Sequence, residues 1–289
     1  MIKVIASDMD GTLLNNEHML NEYTIEVVKR AQNAGIRFMV STGRSFEQAW
    51  HVLKDTGIEC DYIVSSGAEI RNSKKEIVQS GCMNMQDCRK IYDVLKNYDL
   101  SYLFVAADAD YCIGSTKNRE QELIEHIRTF NPGLTEEEAR KTDLFVGMLN
   151  HTKVVADFDE LEASGTKIVK IFAASNNLKM LKEIEEKILG NPNLAIASSF
   201  ENNLEVTDIK SQKGIALKYY IESLGYTMDE VMVFGDSMND YSMISMDFGA
   251  TIAMENGAEK VKKAAKYITK SNEEDGVAYT IEELLKNRY

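Results

Sequence analysis

Two aspartates directly follow the first apolar segment of the chain, and this feature constrains the fold more than any other. Residues 2–6 (Ile-Lys-Val-Ile-Ala) are mostly apolar and rich in β-branched side chains, which predicts a short buried strand. Asp8 and Asp10 come next, and Gly11 lets the chain turn away. Because open α/β sheets place their ligand sites at the carboxyl ends of strands, we expect these two carboxylates to line such a site.

A pair of acids this close together needs a compensating partner, since like charges about 4 Å apart repel by several kcal/mol inside a protein. An ordinary surface turn is one alternative, because Asp and Gly are common turn residues. A calcium-binding loop is another, but it requires glycine at its sixth position and glutamate at its twelfth. The chain has Leu13 and Met19 at those positions, so a calcium loop is excluded.

Predicted strands and helices alternate in the first and last parts of the chain. This alternation favours an α/β fold with a doubly wound parallel sheet. The predicted elements are a helix capped by Asn21 and ending at Gly35, a strand at 36–40, a helix at 46–54, a strand at 62–64, a helix at 213–224, strands at 231–234, 249–253 and 267–269, and a helix at 281–286.

The middle of the chain follows a less regular pattern. We expect a discontinuous α/β core of residues 1–82 and 209–289, with an inserted α+β domain at residues 83–208. The elements predicted in the insert are a hairpin of 103–105 with 111–113, helices at 120–129 and 178–189, and strands at 168–172, 194–198 and 204–207.

The charge and hydropathy patterns exclude several classes of partner. A formal net charge of −13 argues against nucleic acid or an anionic membrane surface as a partner, but a phosphorylated substrate needs only a local cationic pocket. No segment approaches the ~20 apolar residues that span a bilayer, and the first residues do not form a signal peptide. We therefore expect a soluble, cytoplasmic protein.

Neither the cysteines nor the histidines form a metal-binding pattern. There is no C-x-x-C pair and no i,i+4 pair of histidines, so we expect free thiols and histidines that are surface or core residues. The cysteines are Cys60, Cys82, Cys88 and Cys112, and the histidines are His18, His51, His126 and His151.

Three further motifs follow or precede predicted elements in ways that suit phosphate and metal chemistry. The turn Ser41-Thr42-Gly43-Arg44 offers a hydroxyl and a glycine amide to a phosphoryl oxygen. Lys213 starts a helix, from which a lysine can reach an anion. The run Gly235-Asp236-Ser237-Met238-Asn239-Asp240 suits Mg²⁺, which prefers oxygen ligands. Taken singly, the first motif is more typical of a simple strand-to-helix turn, and an isolated lysine is more typical of a solvated charge. A helix cap would explain Asp240 alone, but not the whole run from Gly235 to Asp240.

Together and in this order, the motifs resemble those of the haloacid dehalogenase superfamily, and within it the Cof-type phosphatases with a large inserted (type IIB) cap. One departure is Ser66, where members usually have asparagine before Gly67-Ala68. The likeness covers the whole core and rests on Asp8-x-Asp10-Gly-Thr-Leu, Thr42-Gly43-Arg44, Lys213-Gly214, Gly235-Asp236-x-x-Asn239-Asp240 and Asp275-Gly276-Val277-Ala278.

The resemblance implies a Mg²⁺-dependent phosphatase that acts on small phosphorylated metabolites such as sugar phosphates. Asp8 would be the nucleophile that forms an aspartyl-phosphate. Asp10 would be the general acid and base, with a pKa raised by neighbouring anions. The implied metal ligands are Asp8, the backbone carbonyl of Asp10 and Asp236, with Asp240 as ligand or support, and the implied phosphate-binding groups are Thr42, the amides of Met9 and Gly43, Lys213 and Asn239.

Other classes of protein use similar motifs. A phosphomutase on the same core stays open as the main alternative, because the core motifs do not separate it from a phosphatase. A non-catalytic phosphoacceptor module, such as a response-regulator receiver, also pairs acids with a lysine, but it is typically one small domain and does not explain Asp10. A membrane cation pump needs spanning helices, which the sequence does not contain.

Overall fold

The computed structural model describes residues 1–286 and divides the chain into two compact units. Met1–Gly81 and the chain from Lys210 onward form the first unit, and Cys82–Ile209 form the second. The first stretch of the discontinuous unit contains β1 (Val4–Ser7), α1 (Glu22–Asn33), β2 (Arg37–Ser41), α2 (Phe46–Leu53), β3 (Asp61–Val64), β4 (Glu69–Arg71) and β5 (Ile77–Ser80).

The inserted unit is an α+β structure around a six-stranded sheet. Its strand order is β10-β11-β9-β6-β7-β8, and all neighbours are antiparallel except β7 and β8. Its elements are α3 (Met85–Leu95), β6 (Ser101–Ala106), β7 (Asp110–Ile113), α4 (Thr116–Phe130), α5 (Glu136–Ala139), α6 (Asp143–His151), β8 (Thr152–Val155), α7 (Phe158–Ala163), β9 (Ile168–Ala174), α8 (Leu178–Ile188), β10 (Leu194–Ala197) and β11 (Asn203–Asp208).

The chain then returns to the first unit and completes it. Within residues 1–286, no helix has both the length and the apolar character that a membrane span requires. The returning elements are α9 (Lys213–Ser223), β12 (Val231–Gly235), α10 (Tyr241–Ile244), β13 (Ala250–Ala253), α11 (Glu259–Ala264), β14 (Tyr267–Ile268) and α12 (Gly276–Leu285), with short 3₁₀ turns at Ser65–Gly67, Met228–Glu230, Met238–Asp240 and Asn272–Glu274.

The discontinuous unit contains an eight-stranded sheet in the order β14-β13-β12-β1-β2-β3-β4-β5. The strands from β14 to β3 are parallel, and β4 and β5 add an antiparallel edge. This confirms the predicted α/β fold with a parallel sheet. The chain moves from β1 to β2 on one side, and later strands are added on the other side, beginning with β12. The strand order therefore reverses at β1, where open sheets of this kind form a crevice for ligands.

Strand β1 is apolar along its length because both faces of the sheet are covered. Ile5 belongs to a core cluster with Val28 of α1 and Ile281 of α12. Its neighbour Val4 points the other way, into a cluster that includes Leu217 of α9. A strand buried on both faces shows a continuous apolar run instead of alternation, which is why its position could be predicted from residues 2–6.

The last helix begins at Gly276, earlier than the predicted start at 281, because Asp275 adopts a left-handed conformation (φ 52°) that turns the chain into it. The Asp275 carboxylate accepts hydrogen bonds from Asn21 Nδ2 at 2.9 Å and Thr24 Oγ1 at 2.8 Å. Asn21 was predicted to cap α1 with its side chain, but it makes no such hydrogen bond. Asp275 therefore links the start of α12 to the start of α1.

Replacing Asp275 tests this link. Asp275→Ala should lower the free energy of unfolding by about 1–3 kcal/mol, because it leaves the buried Thr24 hydroxyl without its acceptor and places alanine at positive φ. Asp275→Asn keeps an acceptor oxygen and tolerates the left-handed conformation, so it should lower the free energy of unfolding much less. Urea unfolding of both variants measures the difference. Equal losses for alanine and asparagine would contradict this role.

Candidate active site

Three carboxylates meet at the carboxyl edge of the parallel strands. Asp8 follows β1 and Asp236 follows β12, and these strands are direct neighbours in the sheet, with Ser7 paired to Phe234. Asp240 ends the 3₁₀ turn that begins two residues after Asp236. One carboxylate oxygen from each of the three aspartates lies within 4.8 Å of the others. The strand order therefore brings Asp8 together with two acids that lie more than 220 residues further along the sequence.

The ammonium of Lys213 lies inside this cluster. Its Nζ atom is 2.6 Å from Asp8 Oδ1 and 2.6 Å from Asp240 Oδ1, and its side chain is fully buried. Burial alone would lower the pKa of Lys213, but the charges of Asp240 and Asp8 outweigh burial and raise the pKa well above its usual value. Lys213 is therefore a permanent cation that faces the predicted nucleophile.

One lysine does not balance three acids. Burial raises the pKa of Asp8 well above its usual value, the charge of Asp240 adds to this, and Lys213 opposes it. Burial and Asp240 also raise the pKa of Asp236 to about 7, although the Thr12 hydroxyl donates to Asp236 Oδ1 at 2.7 Å. The site has an excess of negative charge and a set of carboxylate oxygens, which is the donor set that Mg²⁺ prefers. The residues present therefore fit a divalent cation.

Asp240 uses both of its carboxylate oxygens within the protein. Oδ1 accepts from Lys213, and Oδ2 accepts from the backbone N–H groups of Asp236 and Ser237, each at 3.0 Å. These bonds fix the turn after β12 that carries Asp236. The preceding residue, Asn239, is also part of the cluster, since its Oδ1 atom accepts from Ser237 Oγ at 3.0 Å and lies 3.4 Å from Lys213 Nζ.

Two glycines allow the close approaches that build this cluster. Gly11 has a φ of 75°, and a Cβ atom there would lie 2.7 Å from Asp236 Oδ2. Gly67 has a φ of 100°, and a Cβ atom there would lie 2.8 Å from the carbonyl carbon of Gln212, directly before Lys213. Both positions need positive φ and no side chain, which only glycine provides without strain.

The turn before Gly67 shows what the departure at Ser66 costs the backbone. Ser66 has a φ of 59° and a ψ of 27°, and it is buried. Asparagine, the residue expected there from the resemblance, adopts the left-handed conformation more readily than serine does. Serine therefore carries a backbone cost at this turn.

Asp10 lies in a different electrostatic environment from Asp8. Arg44 Nε donates to Asp10 Oδ2 at 2.8 Å, Arg44 Nη2 donates to Oδ1 at 2.6 Å, and His18 Nδ1 lies 2.9 Å from Oδ1. Burial raises the pKa of Asp10, but the hydrogen bonds and charges of Arg44 and His18 outweigh burial and lower it. The prediction that neighbouring anions raise this pKa was wrong for this structure, because the guanidinium of Arg44 faces the carboxylate.

His18 was predicted to be a surface or core residue, and this was incomplete, because its imidazole contacts Asp10. Arg44 was part of a recognised motif, but no contact had been predicted for it. The pairing joins residues 34 positions apart, and no local pattern in the sequence encodes it. The sequence signal for Arg44 was its place in the turn after a buried strand, whereas His18 gave no signal.

The predicted phosphate-binding residues lie at the same edge of the sheet. Ser7 of β1 pairs with Val40 of β2, so Thr42 and Gly43 leave the sheet beside Asp8 and Met9. Thr42 is buried, and its Oγ1 atom accepts the backbone N–H of Arg44 at 3.2 Å, which leaves its hydroxyl hydrogen available to donate. Lys213 and Asn239 lie within the acidic cluster itself. The predicted residues therefore come from four separate stretches of the first unit.

A family model of haloacid dehalogenase-like hydrolases matches residues 5–281. The chain belongs to this family. It is 30% identical, over 100% of both chains, to 5-amino-6-(5-phospho-D-ribitylamino)uracil phosphatase YwtE of Bacillus subtilis. The family and the enzyme class predicted from the motifs, a haloacid dehalogenase-type phosphatase, are therefore confirmed.

Solved structures agree with this assignment. A haloacid dehalogenase-like hydrolase from B. subtilis has a TM-score of 0.83 at 26% identity, with coverage of 98% of this chain and 100% of that chain. A sugar phosphatase of haloacid dehalogenase subclass IIB has a TM-score of 0.76 at 23% identity, and 98% of each chain is covered. The second likeness shows that the two proteins share a fold.

The excess of acids in this cluster predicts a pH-dependent cost to stability. Asp236 has a folded pKa of about 7 and an unfolded pKa near the ordinary ~3.9. Ionisation of Asp236 therefore favours the unfolded state, and the free energy of unfolding falls as the pH rises from about 4 to 7. In chelator, Asp236→Asn should therefore raise the Tm by a few degrees at pH 8 and by much less at pH 4. Differential scanning calorimetry measures both.

The matched control for this measurement is Asp55→Asn, which changes an exposed acid of the same unit. The control should leave the Tm unchanged at both pH values. A lower Tm for Asp236→Asn than for the parent at pH 8 would contradict the electrostatic account of the cluster.

Proposed function

We propose that this protein is a Mg²⁺-dependent phosphatase that hydrolyses small phosphorylated metabolites, such as sugar phosphates or similar phosphomonoesters, through an aspartyl-phosphate at Asp8. The observation that carries the proposal is the buried Lys213 ammonium, which bonds Asp8 Oδ1 beside two further acids. The name of the relative YwtE describes a phosphate on a ribityl chain, which is a phosphorylated polyol. A substrate with a phosphorylated alcohol is consistent with that name.

Asp8 has the contacts expected of a nucleophile. Lys213 occupies Oδ1, and Oδ2 has no hydrogen-bond partner among residues 1–286. We assign Oδ2 as the attacking atom: it forms a bond to phosphorus while the bond from phosphorus to the leaving oxygen breaks. In the second step, water attacks phosphorus, the bond from Asp8 to phosphorus breaks, and inorganic phosphate is released. The charge of Lys213 favours the ionised, nucleophilic form of Asp8.

Asp10 would transfer the protons in both steps. Its lowered pKa suits the second step directly, because an ionised carboxylate can accept a proton from the attacking water. The first step needs a protonated Asp10 that donates to the leaving oxygen. The negative charge of an arriving phosphate group would raise the pKa of a nearby carboxyl. The substrate itself would therefore be the neighbouring anion that raises the pKa of Asp10.

Asp8, the backbone carbonyl of Asp10 and Asp236 would hold Mg²⁺. When bound, Mg²⁺ would offset the charge of the phosphoryl oxygens and of the acidic cluster. Asp240 would serve as a further ligand or as support, through its bonds to Lys213 and to the backbone N–H groups of Asp236 and Ser237. Thr42, the amides of Met9 and Gly43, Lys213 and Asn239 would hold the remaining phosphoryl oxygens.

The nucleophile is tested by Asp8→Asn. This variant should lose at least ~10⁴-fold in kcat, since it removes the atom that forms the covalent intermediate. Its Tm should be equal to or above that of the parent, because one acid of the cluster is neutralised. Asp55→Asn serves as the matched control and should keep full activity. Substantial turnover by Asp8→Asn would reject the covalent mechanism.

The reaction is tested by a screen of phosphorylated sugars and polyols for phosphate release, with Mg²⁺ and with chelator. We expect release from a subset of these compounds with Mg²⁺ and none after chelation, with activity regained when Mg²⁺ is added back. Undiminished turnover in chelator would contradict the role of the metal. Isomerisation of a sugar phosphate without phosphate release would instead identify a phosphomutase.

A further inference from the structure

The loop after the first aspartate motif is built to present His18. The Asn15 carbonyl accepts the backbone N–H of His18 at 2.9 Å. The Asn15 side-chain oxygen accepts the backbone N–H groups of Glu17 at 3.1 Å and Met19 at 2.9 Å. His18 itself has a φ of 57°, in the left-handed region, which histidine adopts more readily than most residues do. One asparagine therefore organises the turn on both sides of this histidine.

Packing does not account for the position of His18. Its side chain is 64% exposed, and its imidazole contacts Asp10, with 2.9 Å between Nδ1 and Oδ1. A carboxylate only accepts hydrogen bonds, so Nδ1 carries the hydrogen. A left-handed backbone and an exposed ring offer little stability by themselves. The contact with the Asp10 carboxylate is therefore the interaction that accounts for the position of the His18 side chain.

The contacts of Asp10 are unequal on its two oxygens. Oδ1 accepts from both Arg44 Nη2 and His18 Nδ1, whereas Oδ2 accepts from Arg44 Nε alone among the described residues. Without His18, Arg44 would bind the two oxygens in the same way, one N–H to each. His18 is therefore the contact that distinguishes the two oxygens of Asp10.

We infer that His18 is a positioning residue that fixes the carboxylate of Asp10, so that Oδ2 is the oxygen that exchanges protons with substrate. This inference rests on the proposed phosphatase reaction. In the first step the proton leaves Oδ2 for the leaving oxygen as its bond to phosphorus breaks. In the second step Oδ2 takes a proton from water as water bonds to phosphorus. His18 touches neither substrate nor phosphorus and acts through Asp10.

Two substitutions separate the imidazole contact from the backbone conformation. His18→Gly removes the contact and adopts a φ of 57° without strain. His18→Asn places an amide N–H close to the position of Nδ1 and also tolerates the left-handed conformation. His51→Asn, on the exposed face of α2, is the matched control. Tm measurements on all three establish that each variant is folded.

The readout is the dependence of kcat on the leaving group. An alkyl phosphate needs its leaving oxygen protonated, whereas nitrophenyl phosphate leaves as a weak base and needs little help. His18→Gly should lower kcat on the alkyl phosphate about 3–10-fold, the worth of one hydrogen bond, with KM unchanged and with little effect on nitrophenyl phosphate. His18→Asn should regain most of the loss, and His51→Asn should match the parent.

Two results would overturn the inference. If His18→Gly slows both substrates equally, or if His18→Asn is as slow as His18→Gly, the histidine has only a structural role in the loop. If the variants give either of these results while the parent protein hydrolyses both substrates, the proposed phosphatase reaction is not contradicted. A parent that hydrolyses neither substrate with Mg²⁺ present would instead overturn the proposed reaction, and the role of His18 with it.

Discussion

The structure of the site depends on one buried ion cluster, the ammonium of Lys213 between Asp8 and Asp240. A lysine with no exposed side-chain surface is strongly unfavourable unless carboxylates surround it. The two acids lie more than 220 residues apart in the sequence, so their meeting with Lys213 requires that β1, β12 and α9 are all in place. In the proposed reaction the same contact would also select the attacking atom, because it fixes one oxygen of Asp8 and leaves the other without a partner among residues 1–286.

The parallel sheet places the acids of the site close together, and their mutual repulsion destabilises the fold. Strands β1 and β12 are buried on both faces, and this apolar packing stabilises strand ends that carry repelling acids. The raised pKa values of Asp8 and Asp236 reflect this repulsion. Asp240 offsets part of this repulsion, since its carboxylate accepts hydrogen bonds from both Lys213 and the backbone N–H of Asp236. Negative charge that the fold tolerates is then available to a cation.

Much of this arrangement could be predicted from the sequence. The apolar run before Asp8 and the strand predicted at 231–234 indicated two strand ends that carry acids, and the Asp236 and Asp240 motif indicated which acids. That these two strands are direct neighbours is known only from the structure. The environment of Asp10 could not be predicted, because Arg44 and His18 reach it through the tertiary fold. The short antiparallel strands β4 and β5 were also missed, since three or four residues with mixed polarity give no clear period.

The account is tested most directly by a crystal structure of the protein soaked in Mg²⁺. We predict one ion within about 2.0–2.1 Å of carboxylate oxygens of both Asp8 and Asp236, with Lys213 still bonded to Asp8 and Asp240 still bonded to the turn. Asp8 and Asp236 turned away from each other with no ion between them would contradict it.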